Sequence, residues 1–340
     1  MTGISDQKLT GKRWGDLELP SATGIEAAAA RLAQYLAPTP LVQSPALSDA
    51  LGAEVSIKVE TMSPVASFKL RGALNHVILA CEQGVQTSAA TSSTGNHGQG
   101  VALAARMLGL SADIFLPIGS AAVKKRMIQL LGGTVHEIGE DIDAAKAHAR
   151  DFAAAHCAVF VDDGESLPLM EGAGTVGLEL IRQCPGADRV YVPMGSGVLA
   201  TGVATAVKAA RPGCEVIAVQ STGAPAMVDS FRARRPLERP ITTFADCIVC
   251  RVPAHRALKG IIERVDDCRL VTDDEILAAL HSMLLWGHLL VEPGSASVLA
   301  RAYADRAELA GKKVVLLASG ANVDMHLVAR ALAGPLLWEG

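Results

Sequence analysis

Short apolar runs recur along the chain, and longer alanine- and leucine-rich stretches lie between them. Six runs have the length of a strand, and most of them lack the alternation of polar and apolar residues that marks a strand with one exposed face. They span residues 55–59, 112–116, 158–161, 189–192, 215–219 and 313–317. Such runs are typical of parallel strands that helices cover on both faces. The pattern therefore predicts an α/β fold.

Eight of the stretches between these runs have the composition of helices. They span residues 24–36, 70–83, 98–108, 121–131, 142–155, 172–182, 198–210 and 273–285. Thr272 and Glu275 have the spacing of a capping box, in which side chains satisfy the free N–H groups at a helix start. Residues 231–243 are rich in arginine and proline, so we expect an irregular surface connection there.

Composition and charge limit the size, the partners and the location. The 340 residues are 50% hydrophobic and 19% charged, which allows a large core and about two domains. The net charge of −4 gives no basic surface for nucleic acid. No run approaches the roughly 18 apolar residues of a membrane span. Residues 1–16 carry charges without an apolar segment, so we expect no signal peptide and a cytoplasmic protein.

The seven cysteines follow no regular spacing, which fits reduced thiols in the cytoplasm. Only Cys247 and Cys250 form a C-x-x-C pair, and only His255 lies close by as a further ligand for zinc. We therefore expect ordinary buried thiols and no metal site.

Four polar or glycine-rich segments follow a predicted strand or open a predicted helix, where ligands bind in open α/β sheets. They span residues 63–73, 92–100, 194–202 and 319–322. The N–H groups of the second and third segments could hold a carboxylate or a phosphate at a helix N-terminus. Taken singly, such loops are as often plain tight turns, and Lys69 in the first segment is more often a solvated surface lysine.

Residues 194–202 do not carry a nucleotide-binding fingerprint. Gly195, Gly197 and Gly202 give the spacing G-x-G-x-x-x-x-G rather than the dinucleotide spacing G-x-G-x-x-G. The strand run that follows ends in Gln220, where a ribose-binding carboxylate would be expected. The Gly-Lys-Ser/Thr of a Walker loop is missing as well. A nicotinamide or nucleotide enzyme is therefore disfavoured.

Together the four segments supply most of the groups that a pyridoxal phosphate site requires, among them a lysine, a phosphate loop and a serine after the last core strand. Residues 67–73, Ser-Phe-Lys-Leu-Arg-Gly-Ala, resemble the cofactor-lysine motif of the threonine/serine dehydratase family of fold-type II pyridoxal-phosphate enzymes. Residues 93–97 are similar to the substrate loop of that family, and the resemblance covers about residues 36–331. Phenylserine dehydratases, hydroxyaspartate dehydratases and serine racemases are close relatives.

The resemblance implies a fold like that of the tryptophan synthase β subunit, with two open, twisted, mostly parallel sheets and flanking helices. It implies a large discontinuous cofactor-binding domain, residues 1–84 and 166–340, and a small mobile substrate-binding domain, residues 85–165. It also implies a homo-oligomer, a dimer, that acts on a small-molecule hydroxy amino acid. The sequence ends about where such a catalytic domain should close, so we expect no feedback-regulatory region and a role in amino-acid catabolism.

The resemblance further implies a role for each residue near the cofactor, pyridoxal 5'-phosphate. Lys69 would hold it as a Schiff base and then act as the catalytic base that removes the α-proton, while Phe68 packs at the ring edge. Asn96 would bond the phenolic oxygen, Ser319 would face the pyridine nitrogen, and Glu292 would line the site. The phosphate would be bound by backbone N–H groups of Gly195, Ser196, Gly197, Val198 and Leu199. The substrate would be bound by Ser93, Thr94, Gly95, Asn96 and His97.

A serine opposite the pyridine nitrogen would not stabilise a pyridinium proton as an aspartate would, which favours prompt loss of a β-leaving group. We therefore expect a dehydratase of 3-hydroxy amino acids of the threonine, serine or phenylserine type, which releases a 2-oxo acid and ammonia. The preferred side chain is left open.

A racemase or a β-replacement enzyme with the same cofactor is the alternative, and a non-catalytic anion-binding protein is disfavoured. Thr94 stands where racemases place a second serine, and threonine is bulkier and stiffer. Gln220 removes the charge that those relatives use to bind a divalent cation.

Overall fold

The computed structural model describes residues 8–9, 12–84 and 87–338. The strands in this part of the chain are β1 (Lys8–Leu9), β2 (Lys12–Arg13), β3 (Leu41–Gln43), β4 (Glu54–Val59), β5 (Ser88–Ser92), β6 (Ser111–Leu116), β7 (Gly133–Glu137), β8 (Val159–Phe160), β9 (Arg189–Pro193), β10 (Glu215–Ser221), β11 (Asp267–Val271) and β12 (Lys313–Ala318). The helices are α1 (Ala22–Leu32), α2 (Pro45–Leu51), α3 (Lys69–Glu82), α4 (Asn96–Met107), α5 (Ala122–Leu130), α6 (Ile142–His156), α7 (Leu167–Gln183), α8 (Val198–Ala210), α9 (Ala226–Ala233), α10 (His255–Arg264), α11 (Asp273–Leu285), α12 (Pro293–Ala304) and α13 (Met325–Leu332).

Two mostly parallel sheets carry the fold. Strands β11, β10, β9, β12, β4 and β3 form a six-stranded sheet in that order, and only β3 runs antiparallel to its neighbour. Strand β12 lies between β9 and β4, with Val314 opposite both Arg189 and Val55. Strands β7, β6, β5 and β8 form a four-stranded parallel sheet. Helices pack on both sheets, as the sequence predicted.

Burial on both faces explains why the strand runs are almost continuously apolar. Successive side chains of a strand point to opposite faces of its sheet. Val315 and Leu317 of β12 belong to an apolar cluster with residues of α3, α7 and α8, whereas Val314 and Leu316 belong to a second cluster with residues of α11 and α12. Both faces of the six-stranded sheet are therefore covered.

The six predicted strands and eight predicted helices are present, with ends that differ by a few residues. Helix α7 begins earlier than predicted because Ser166 caps it by accepting a hydrogen bond from the Leu169 N–H group. The capping box of Thr272 and Glu275 is confirmed at the start of α11. The prediction for residues 231–243 was wrong at its start, since α9 continues to Ala233, and the rest of that segment is irregular.

Several elements were not predicted, namely β1, β2, β3, β5, β7, β11, α2, α9, α10, α12 and α13. Strand β5 reads Ser-Ala-Ala-Thr-Ser and has no large apolar side chain, yet its first four residues are buried. It lies between β6 and β8 with α4 and α6 packed against it. Small side chains are accommodated in β5 because the neighbouring strands and helices supply the apolar surface around it. The residues of β5 alone do not reveal this environment.

Helices α7 and α8 approach closely because glycines lie at their contact. A Cβ atom on Gly202 would lie 2.4 Å from the Met170 carbonyl oxygen and 2.7 Å from the Gly174 nitrogen. Side-chain atoms do not fit at such distances in a close-packed interior. Since α3 also packs on α7, this contact helps to fix where α3 and α8 begin relative to each other.

The four-stranded sheet comes from one continuous segment, Ser88 to Phe160, and the six-stranded sheet comes from the chain on either side of it. The division at residues 84–85 and 165–166 stays a prediction, and residues 85 and 86 lie outside the described part of the chain.

Residues 1–16, from which we predicted the absence of a signal peptide, mostly lie outside the described part of the chain or have no described side chains. No helix among the described residues is long and apolar enough to cross a lipid bilayer.

Candidate functional site

Four helices begin around the predicted site residues. Helix α3 begins at Lys69, α4 at Asn96, α8 at Val198 and α12 at Pro293. In none of these four helices does the side chain of the N-cap residue cap the first turn, and among the described residues the Cys247 thiol accepts from the Gly294 N–H group of α12 at 3.1 Å. The N–H groups of a first turn have no partner within the helix and carry partial positive charge, so these starts suit anionic ligand groups.

Lys69 is the first residue of α3, directly after Phe68. Its Nζ atom lies 2.6 Å from Asp163 Oδ2 and 5.2 Å from the centre of the Phe68 ring. The Phe68 N–H group donates to the Ser319 carbonyl oxygen at 2.9 Å, which ties this helix start to the end of β12. Gly100 of α4 packs against the Lys69 backbone. The backbone around Lys69 is thus held from two sides.

Arg71, in the same turn of α3, lies in a buried ion network rather than at the site. Its guanidinium donates to Glu60 at 2.7 Å and to Glu179 at 2.6 Å, and Lys58 Nζ donates to Glu179 at 2.7 Å. Two cations face two carboxylates, so the charges balance, as buried ions require. The arginine of the lysine motif therefore anchors the turn that carries Lys69.

Asp163 connects Lys69 to the glycine loop before α8. Its Oδ2 atom accepts from Lys69 Nζ at 2.6 Å, and its Oδ1 atom accepts from Ser196 Oγ at 3.1 Å. Burial disfavours the charged carboxylate, but the Lys69 ammonium and the two hydrogen bonds outweigh it and hold the pKa of Asp163 well below its usual value. Asp163 therefore stays ionised.

The loop from Gly195 to Leu199 has the shape of an anion-binding helix start. Gly197 has a φ of 89°, a left-handed value that glycine adopts without strain. A Cβ atom on Gly197 would also lie 2.6 Å from Met227 Cε. Val198 and Leu199 then form the first turn of α8, whose N–H groups face no side-chain cap. These observations fit the phosphate group that the resemblance assigns to this loop.

Ser319, directly after β12, lies beside Glu292. Ser319 Oγ donates to Glu292 Oε1 at 3.2 Å and lies 3.2 Å from Ser295 Oγ. Glu292 is only 2% exposed. Burial raises the pKa of Glu292 to about 7, although the hydrogen bonds from Asn96 and Ser319 oppose the shift. The Glu292 carboxyl group can therefore hold or release a proton near neutral pH.

Asn96 lies on the other side of Glu292. Its Nδ2 atom donates to Glu292 Oε2 at 2.7 Å, and its Oδ1 atom accepts from Asn322 Nδ2 at 2.7 Å. Asn322 Nδ2 is in turn held by the Val65 carbonyl oxygen at 2.9 Å. The structure thus brings the predicted residues Asn96, Glu292 and Ser319 into direct contact.

The predicted substrate loop runs from Ser93 into α4. The Gly95 N–H group donates to Ser93 Oγ at 3.2 Å, and Thr94 lies between them, partly exposed. His97 Nε2 donates to the Val161 carbonyl oxygen at 3.0 Å, and burial lowers the pKa of His97. Its neutral Nδ1 atom is then an acceptor, without a partner among the described residues. A carboxylate at this loop would accordingly meet backbone N–H groups rather than the His97 ring.

Sequence reasoning missed Asp163 and Ser295 of this cluster, and it included Asn322 in the segment 319–322 without giving it a role. Asp163 follows β8 and Asn322 follows β12, and polar residues after parallel strands are a recognisable signal of a site. Ser295 lies in the first turn of α12, where its hydroxyl contacts Ser319, and no local pattern marks it. The roles of the individual residues toward a cofactor and a substrate stay predictions.

The metal and thiol predictions concern residues beside this cluster, since Cys247 Sγ accepts from the Gly294 N–H group at 3.1 Å. Within the described ranges, no group of three or more His, Cys, Asp or Glu side chains could hold a metal ion. Gln220 Oε1 accepts from the Met227 and Val228 N–H groups at 3.2 and 3.3 Å, so its amide has a structural role. The seven cysteines are all free. Burial raises the pKa of Cys250 to about 12 and that of Cys247 well above its usual value, so both thiols stay protonated.

A family model described as pyridoxal-phosphate dependent enzyme matches residues 32–320. The chain belongs to this family. The resemblance, the fold class and the cofactor that the sequence predicted are thereby confirmed. Lys69, the glycine loop and Ser319 all lie within the matched residues.

Relatives within the family have named activities. The L-threonine ammonia-lyase of Thermotoga maritima is 33% identical over 305 residues, which cover 89% of this chain and 75% of the relative. Threonine dehydratase 1 of Solanum lycopersicum is 34% identical over 290 residues, which cover 84% of this chain but 48% of the relative. The chain thus spans about half the length of that second relative. The solved structure of maize serine racemase matches with a TM-score of 0.85 at 28% identity, covering 93% of this chain and 98% of that one.

Proposed function

We propose that this chain is a pyridoxal-phosphate-dependent dehydratase of 3-hydroxy amino acids, an ammonia-lyase that yields a 2-oxo acid and ammonia. The observation that carries the proposal is the position of Lys69. It is joined through Asp163 to Ser196 of the glycine loop and through the Phe68 N–H group to Ser319. The dehydratase class agrees with the names of the relatives in Thermotoga maritima and Solanum lycopersicum.

Pyridoxal phosphate supplies, when it is bound, the electron-withdrawing group that makes the α-proton of an amino acid removable. Lys69 would hold it covalently, and the N–H groups of residues 195–199 would hold its phosphate at the start of α8. Asn96 and Ser319 would contact its ring, and Glu292 supports both side chains through its two carboxyl oxygens.

Lys69 Nζ would take the α-proton of the substrate. The N–H groups at the start of α4, in residues 93–97, would orient the substrate carboxylate. The α-proton and the β-hydroxyl group leave the amino acid together as water. Water then adds back to the released enamine product, which gives the 2-oxo acid and ammonia, so the reaction needs no oxidant or reductant.

Turnover by the purified holoenzyme tests the proposal directly. Release of 2-oxo acid should be measured with the L- and D-forms of serine, threonine, phenylserine and 3-hydroxyaspartate. At least one should be converted, with equal amounts of ammonia. A yellow holoenzyme that releases 2-oxo acid from none of them would refute the dehydratase assignment.

Lys69→Ala should abolish this turnover, because it removes both the attachment point of the cofactor and the proton acceptor. We expect a loss of at least about 10³-fold, in line with the size of general-base effects. Lys125→Ala, which removes an amine from α5 that pairs with Glu137 at 2.9 Å, is the matched control and should keep its activity. Turnover retained by a folded Lys69→Ala protein would contradict the assigned role.

Racemisation is the second outcome to measure, because the maize serine racemase matches over most of its length. Thr94 favours elimination, since it replaces the mobile serine that racemases place there. Formation of D-serine from L-serine in excess of pyruvate would replace the dehydratase proposal with a racemase.

The resemblance also leads us to propose a homodimer in the cytoplasm with a small hydroxy amino acid as its substrate. Light scattering measures the mass of the protein in solution and so tests for the homodimer. A mass close to the 35.3 kDa of one chain would contradict it.

A further inference from the structure

Asp163 is the charged residue that the proposed reaction does not explain. It touches the reacting amine of Lys69 and the Ser196 hydroxyl of the predicted phosphate loop, yet the proposed reaction assigns no role to its charge. Its side chain is 28% exposed, so one side of it faces open space. Its two contacts, at 2.6 Å to Lys69 Nζ and at 3.1 Å to Ser196 Oγ, fix the carboxyl group from two directions.

We propose that Asp163 is a specificity-determining residue, whose carboxylate disfavours amino acids with an acidic side chain and leaves neutral hydroxy amino acids as the substrates. This inference rests on the proposed function, because it takes Lys69 Nζ as the point where the substrate reacts.

Distance places the Asp163 charge close to the substrate side chain. Reacting atoms in a productive complex lie about 3–3.5 Å apart, so the α-carbon would lie about that far from Lys69 Nζ. Asp163 Oδ2 lies 2.6 Å from the same nitrogen. The carboxylate would therefore lie within about 6 Å of the α-carbon. In aspartate a single methylene group separates the α-carbon from the side-chain carboxyl carbon.

Charge decides the sign of the effect. A lysine that is to accept a proton must first be neutral, and at that stage the Lys69 ammonium no longer compensates Asp163. The Asp163 carboxylate then keeps its hydrogen bond from Ser196 Oγ and its contact with solvent, which sustain its charge. Two like charges about 6–8 Å apart near a protein surface repel enough to weaken binding about 10- to 100-fold, and partial exposure favours the lower figure. Once Lys69 has taken the α-proton, the same carboxylate receives its ammonium group in the ion pair that the structure shows.

L-Asparagine and L-aspartate form a matched pair for the test, because they differ mainly in side-chain charge and carry no hydroxyl group to lose. Their dissociation constants for the holoenzyme can be read from the change in cofactor absorbance. We expect the native protein to bind asparagine about 10-fold or more tighter than aspartate. Asp163→Asn should bring this ratio to within about threefold.

Asp162→Asn is the matched control. Asp162 is the neighbouring carboxylate, but it pairs with Lys146 at 2.6 Å and Arg150 at 3.3 Å, so its variant should keep the native ratio. A native ratio near one, or a ratio that survives in Asp163→Asn, overturns the inference. A native ratio near one refutes the inference even if Asp163→Asn does not fold.

This outcome is separate from that of the proposed function. A holoenzyme that binds both amino acids but releases no 2-oxo acid from any hydroxy amino acid refutes the dehydratase and still measures the charge preference. If both proposals hold, kcat/KM for 3-hydroxyaspartate should rise relative to that for serine in Asp163→Asn.

Discussion

The carboxyl group of Glu292 accepts hydrogen bonds from Asn96 and from Ser319, which lie far apart in sequence. It is almost fully buried, and the hydrogen bonds that it receives are from neutral donors. Burial costs the charged form of a carboxyl group more than these two bonds return, which is why its pKa is raised. The Glu292 carboxyl group therefore links the start of α4 to the end of β12, and its protonation state affects both contacts.

The pH dependence of stability should report this group. Its pKa is about 7 in the folded chain against an ordinary value of 4.5, so the folded chain binds a proton more tightly between these values. The contribution of Glu292 to the free energy of unfolding should be fully present below about pH 4.5 and fall by about 2–3 kcal/mol as the pH rises through 7. Glu292→Gln cannot ionise and should not show this fall in urea unfolding between pH 5 and 8.

The comparison that matters is the difference in unfolding free energy between the native protein and the variant at each pH. Glu26→Gln, on the exposed side of α1, controls for the loss of one carboxyl group. A constant difference for Glu292→Gln over the same range would contradict the raised pKa.

Single residues of the site could be predicted where a short motif marks a helix start or a strand end. Lys69 and Asn96 begin helices and Ser319 follows a strand, but their roles toward the cofactor come from the resemblance and stay predictions. Asp163 could not be assigned to Lys69, because their contact depends on how β8 lies relative to α3. A contact between distant segments is a property of packing that no local pattern contains.

At the scale of helices and strands, the site depends on how closely its helices pack. Gly202 lets α8 lie against the α7 backbone near Met170 and Gly174. The ion network around Arg71 adds a second constraint, since it ties α3 to α7 through Glu179. The starts of α3 and α8 thus keep a fixed spacing, which the sequence indicates only through the presence of glycines.

Gly202→Ala should lower stability, because the added methyl group would overlap the Met170 carbonyl oxygen and the helices would have to separate. We expect a cost of about 1–3 kcal/mol, as for other overpacked cores. Differential scanning calorimetry measures it as a fall in Tm. Gly213→Ala is the control, since nothing lies within 4 Å of a Cβ atom there, and it should stay within about 0.5 kcal/mol of the native protein. Equal effects of the two variants would contradict the role of the close approach.

The strands show the limit of prediction at this scale. Runs of large apolar residues such as those in β9 and β12 could be recognised, because these strands are buried on both faces. Strands β5 and β7 could not, because one consists of small residues and the other is largely polar. Their strand structure is determined by parallel pairing with β6.

At the scale of the whole molecule, the burial of the cysteine side chains indicates how well the interior is packed. Cys157 is the exposed one of the seven, at the end of α6, and the other six are partly or fully buried. Burial raises the pKa of several of them, including that of Cys214 to about 12, so few thiolates are available to react.

The native protein should therefore react quickly with a thiol reagent such as dithionitrobenzoate at one cysteine per chain. Cys157→Ala should remove this fast phase, while Cys214→Ala should leave it unchanged. Unfolding in guanidinium chloride should expose all seven thiols. Several fast thiols in the native protein would show that the packing described around the other cysteines is wrong.

Strand β12 follows every other described strand in the sequence, yet it lies in the middle of the larger sheet, between β9 and β4. During synthesis on the ribosome, the edges of β9 and β4 that pair with β12 stay unpaired until residue 318 has left the exit tunnel. Unpaired strand edges can pair with other chains. The bond that fixes Phe68 to Ser319 likewise forms only after β12 has left the tunnel. The nascent chain therefore completes its lysine pocket late, and premature release or truncation before β12 should leave an aggregation-prone chain rather than a partly active one.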